Sequence, residues 1–87
     1  MNQSILFPDI QTWDSVSQRV IFPAQQGGAL IECVISLVQL EKMVSRSLEG
    51  EAEVLKAFAE LRFDLEEWAE QQIEDEEFNS QGQIELS

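Results

Sequence analysis

Histidine and tyrosine are absent from this sequence, and cysteine occurs once, at Cys33. Without an imidazole, the usual base that activates a serine or cysteine nucleophile cannot be assembled, and neither can a histidine-ligated metal centre. One cysteine excludes an internal disulfide. Cys33 also lies in an apolar run, where a free thiol behaves as a small buried hydrophobe, and a reducing compartment fits that arrangement. No apolar run approaches the length of a membrane span, and Met1 to Asp9 has neither the basic start nor the apolar stretch of a signal peptide. The expected location is therefore the cytoplasm. Cations are equally scarce: five Lys and Arg stand against seventeen Asp and Glu, for a net charge of −12.

That negative charge is concentrated in one half. Residues 1 to 48 carry four acids and three cations, whereas residues 49 to 87 carry thirteen acids and only Lys56 and Arg62. Such a surface repels phosphate backbones and removes the counterion-release contribution to nucleic-acid affinity. It disfavours anionic membranes as well. Neither direct nucleic-acid binding nor membrane binding is expected. What remains is a solvated acidic face, a docking face for a basic partner, or a mimic of nucleic acid.

With 87 residues, the chain has interior enough for one domain, residues 1–87. It divides into a β-rich part (1–36), a helical part (37–78) and a tail or short strand (79–87). Ser4 to Phe7, closed by Pro8-Asp9, reads as an edge strand or arm. Gln11 to Gln18 reads as a polar turn, with Asp14 and Ser15 supplying local hydrogen bonds. Trp13 there either covers one end of the core or stacks on a ligand.

Arg19 to Ala24 alternates as a strand, with Val20 and Phe22 on one face and Pro23 closing it or marking an edge. Gly27-Gly28 then predicts a tight hairpin, because paired glycines accept the positive φ it requires. Ala29 to Ser36 returns with Ile31, Cys33 and Ile35 on one side. No Lys-Ser/Thr follows the glycines, and a strand comes next, so this is not a phosphate-binding loop. Ser36 is placed to cap a short helix running from Leu37 to about Ser45.

Glu51 to Glu77 reads as one long amphipathic helix. Val54, Leu55, Phe58, Leu61, Leu65, Trp68, Ala69 and Ile73 gather on one arc. At 1.5 Å per residue it would run about 40 Å, longer than the roughly 30 Å diameter of a globule of this size. Either it stops near Ile73, or its acidic tip projects toward another chain. Gln83 to Leu86 permits a final short strand. Together these elements predict an α+β fold, a two-layer sandwich in which a short and a long α-helix cover a small antiparallel β-sheet.

Arg62 stands out because it falls inside the apolar arc, where an unpaired guanidinium would be costly. Asp9, Asp14 and Glu66 are its expected partners. Phe63 points to the polar side beside Glu67 and is either a contact for another chain or covered by the N-terminal arm. The acids Glu74 to Glu77 lack the alternating ligands and glycine of a calcium loop. No metal or cofactor is expected, and no catalytic residue can be nominated.

Leu6-Phe7-Pro8-Asp9, Trp13-Asp14, Val20-Ile21-Phe22-Pro23-Ala24, Gly28, Ile31-Glu32-Cys33, Ile35-Ser36 and Arg62-Phe63-Asp64-Leu65-Glu66-Glu67 resemble the small bacterial YrdB-like family, a family of unknown function. The resemblance runs through nearly the whole chain. It implies helices packed on an antiparallel sheet and supplies no catalytic residue. The shared Arg-x-Asp-Leu-Glu-Glu segment adds Asp64 to the candidates. The sequence thus favours a non-catalytic interaction or accessory protein that uses Arg62, Phe63, Asp64, Glu67, Trp13 and Asp14 toward a protein partner or a second copy. The alternative is an indirect regulator of transcription that engages a basic protein or imitates nucleic acid.

Overall fold

The computed structural model describes residues 5–87. Its centre is the hairpin of β3 (Arg19–Gln26) and β4 (Ala29–Ser36), paired antiparallel from Arg19↔Ser36 to Gln26↔Ala29. Gly27 and Gly28 close it with φ of +57° and +86°, the left-handed values that let a two-residue turn follow the strand twist. β3 places Val20, Phe22 and Ala24 on the buried side, and β4 adds Cys33 and Ile35. Period-two alternation therefore fixes which face receives the helices.

Two short strands share the far side of β3. β1 (Ile5–Leu6) pairs with Gln26 and Gln25, and β2 (Thr12–Asp14) pairs with Ile21, Val20 and Arg19. Ser4, where the sequence starts the arm, lies outside the described residues. The polar stretch Gln11 to Gln18 is not wholly a turn: Thr12–Asp14 is a strand because Trp13 lies opposite Val20 and joins the core. Asp14 then makes the expected turn, its Oδ1 accepting from the N–H groups of Val16 and Ser17 at 3.0 and 3.4 Å. Nor does Pro23 close β3, which continues to Gln26. Pro23 lies in the interval that neither β1 nor β2 pairs, where a missing N–H costs no ladder bond.

α1 (Leu37–Val44) starts at Ser36, whose Oγ accepts from the Gln39 N–H at 3.0 Å. Leu48 is buried in the following loop, and its N–H donates to Glu41 Oε2. The long helix is in fact two, α2 (Gly50–Glu60) and α3 (Arg62–Glu74), separated at Leu61 with φ −98° and ψ 5°. The Leu61 N–H is shared between the Ala57 and Phe58 carbonyls. In a straight helix Ile73 would stand about 100° round the axis from Val54. On either side of this break, Val54, Ala57 and Phe58 from α2 and Leu65, Ala69 and Ile73 from α3 all reach one core. α3 stops at Glu74, so no helical tip overhangs the sheet.

β5 (Ile84–Leu86) completes the sheet and corrects the all-antiparallel expectation, since it runs parallel to β4. The three helices carry the chain back across the sheet before β5 enters, which is the long crossover a parallel pair needs. The strand order is β1-β3-β4-β5, with β2 also on β3. Phe22 sits at the core centre, its ring 5.1 Å edge-on from Phe58 and 6.3 Å from Phe7. The molecule is a two-layer α+β fold with helices on one face of a mixed sheet.

Candidate functional site

α3 turns two different stripes outward from its axis. Leu65, Ala69 and Ile73, four apart, are buried, whereas Phe63, Glu66, Glu67 and Glu70 follow the three-four spacing of a neighbouring stripe. That second stripe faces β1 across an open groove of about 550 Å³, lined by Ile5, Leu6, Phe7, Phe63, Asp64 and the three glutamates. Phe63 is 84% exposed and Leu6 62% exposed. Among the described residues, Ile5 to Phe7 of the arm lie beside Phe63 without covering it.

Arg62 closes one end of this arrangement. Its side chain is 17% exposed, and its Nε donates to Glu66 Oε2 at 2.8 Å. The two terminal nitrogens donate to Gln11 Oε1 at 2.6 Å and to the Pro8 carbonyl at 2.7 Å. Asp9, which is almost fully exposed, stands 3.5 Å away, and the guanidinium lies 5.7 Å above the Phe58 ring. Arg62 therefore ties the loop between β1 and β2 to α3, with its charge balanced chiefly by Glu66. Phe7 is held against Phe22 by the same loop. Of its three expected partners Arg62 meets Asp9 and Glu66; it does not meet Asp14, whose carboxylate serves the β2–β3 turn.

Of the sequence candidates, Phe63, Asp64 and Glu67 meet in the groove, and Arg62 buttresses it. Trp13 lies elsewhere, half-buried against the core on the strand beside α2. Asp14 stands at the end of that strand, its carboxyl held below the ordinary range by hydrogen bonds from the Ser17 side chain and backbone, then from the Val16 N–H and by the charge of Arg19. Ile5, Leu6, Phe7, Glu66 and Glu70 complete the groove and were not singled out as a surface. The spacing of Glu66 and Glu70 from Phe63 could have shown two of them; the passage of the arm beside α3 is a tertiary fact.

The groove can hold a ligand by apolar contact and charge; its described lining consists of apolar side chains and carboxylates, with no Ser, Thr, Cys or Lys among them. Cys33 is fully buried beside Ile84 of β5, where burial and then the nearby Glu32 charge push its thiol up to about 12. Among the described residues, no three or more Cys, Asp or Glu converge as metal ligands. Within them, no helix is long and apolar enough to cross a membrane.

A small mixed sheet covered on one face by α1, α2 and α3, with an acidic groove at its β1 edge, defines a compact α+β class of protein. The sequence profile described as "Protein of unknown function (DUF1488)" matches residues 5–86, and the chain belongs to this family. It is 36% identical over 84 residues to "Uncharacterized protein YrdB" of Escherichia coli K12, covering 97% of this chain and 96% of that protein. The Shigella flexneri protein of the same name is 35% identical over the same span. A crystal structure of a DUF1488 protein of unknown function from Shewanella loihica PV-4 superposes with a TM-score of 0.95 at 41% identity, covering 99% of this chain and 94% of that one.

Proposed function

We propose that this protein is a non-catalytic, cytoplasmic interaction module whose β1–α3 groove receives a basic, partly apolar segment of another protein. The carrying observation is the placement of exposed Phe63 among Asp64, Glu66, Glu67 and Glu70, opposite the apolar residues of β1. An apolar contact flanked by carboxylates suits a segment that mixes aliphatic side chains with Lys or Arg. A second copy suits it poorly, because it brings the same net charge of −12. The exposed Phe63 ring favours a protein partner over imitation of nucleic acid. The buried, high-pKa thiol and the lack of histidine support a role without catalysis.

A photo-crosslinking residue at position 63, introduced in living cells, tests the reading. The expected product is a covalent adduct with a basic protein, identified by mass spectrometry and lost in the charge-reversed Asp64→Lys/Glu67→Lys variant. Both of those acids are exposed, so the variant should fold. Adducts with the protein itself, or adducts undiminished by charge reversal, would refute it.

A further inference from the structure

We infer that the partner segment is bound as an added β-strand along the free edge of β1, with alternating cationic and aliphatic side chains. The inference rests on the groove being a binding site and adds how its occupant is held. Successive side chains of a strand point to opposite faces. Ile5, Leu6 and Phe7 are consecutive, yet all three line the groove. Ile5 and Leu6 are the two residues of β1 and Phe7 follows it; a groove that touches both strand residues, whose side chains point to opposite faces, runs along the strand's edge, where backbone N–H and C=O groups lie, rather than across one face.

β1 ends the strand order and, among the described residues, has a strand neighbour only at β3. Its other edge is an available template for main-chain pairing. The surroundings specify the pattern of the occupant. Side chains of an added strand on the helix side meet Phe63, Glu66, Glu67 and Glu70, which calls for Lys or Arg. Those on the other side extend the cross-strand row of Leu6, Gln25 and Leu30, in which both leucines are exposed, and this calls for Val, Ile or Leu. The resulting code has period two. Pairing of β1 with β1 of a second copy would instead bring two acidic α3 stripes together, and their repulsion opposes it.

The test uses three end-capped heptapeptides titrated into the full chain by calorimetry and by NMR: Lys and Val in strict alternation, the same residues in two blocks, and the alternating peptide N-methylated on two adjacent central residues so that neither edge can pair. The alternating peptide is expected to bind and to slow amide exchange in β1, with affinity at least about tenfold above the other two. Binding should weaken at least about tenfold in Asp64→Lys/Glu67→Lys. If the N-methylated peptide binds equally well, strand addition is wrong while the groove reading stands. Equal binding of the block peptide overturns the alternation. If no peptide shows binding that is sensitive to Asp64→Lys/Glu67→Lys, the groove reading itself fails. Concentration-dependent dimerisation that protects β1 in the protein alone would make a second copy the occupant and overturn the assignment.

Discussion

The two edges of the sheet are handled in opposite ways. At the β5 edge, Ile84 and Leu86 are completely buried, and Phe78 bridges back onto Ile84. Gln83, itself buried, donates to Glu32 Oε1 at 2.5 Å and accepts from Asn79 Nδ2, while Asn79 Oδ1 takes the N–H groups of Gln81 and Gln83. Buried polar groups there find partners, as a low-dielectric setting demands. At the β1 edge, only two residues pair, Leu6 and Phe63 stay exposed beside an open groove, and the Arg62 guanidinium ties the following loop to α3. The contrast separates an edge built for cohesion from one whose surface is available and guarded by like charge.

Substitutions can sharpen that contrast. Ile84→Ala should cost the most, about 2–5 kcal/mol in chemical denaturation, because the cavity forms where the core is closed. A loss below about 1 kcal/mol would show that the β5 edge yields as easily as the other. Arg62→Ala should cost about 1–3 kcal/mol, with accelerated amide exchange confined to residues 5–11. If exchange rises equally around β5, Arg62 is a global support and not a local tie.

Cys33 provides a pH probe of the sealed side. Its folded pKa is raised from 9.0 to about 12, so its contribution is whole below pH 9 and is lost as pH rises toward the folded value, when only the unfolded thiol ionises. Relative to Cys33→Ala, stability should fall by about 1 kcal/mol by pH 10. Parallel pH curves for the two proteins would contradict this. Phe63→Ser should change stability least, within about 0.5 kcal/mol. A larger loss in thermal unfolding would mean that the ring supports the fold and is not held out for a partner.

Several elements were legible from local chemistry. The Gly27-Gly28 turn, the alternation on either side of it, the Ser36 cap and the position of Arg62 within an apolar arc all follow from residue type and spacing. Thr12–Asp14 was not, because a three-residue strand with polar neighbours owes its conformation to pairing with β3. The break at Leu61 contains neither Pro nor Gly, the residue types that announce a helix interruption in a sequence. Alternation at Ile84 and Leu86 marks a strand but carries no information about its direction. In the site, Phe63, Asp64 and Glu67 could be placed on a helix face, yet only the tertiary path of Ile5 to Phe7 makes that face one wall of a groove. Trp13 packs on the core and Asp14 makes the turn, both of which residue type and context had offered.

The parallel seam between β4 and β5 has a consequence for synthesis. Glu32 and Gln83, which meet across it, are 51 positions apart in sequence, so the seam cannot close while a ribosome still holds back the residues of β5. Until Ile84 and Leu86 emerge, one flank of Cys33 and Ile35 stays uncovered, and the incomplete chain presents an adhesive strip along β4.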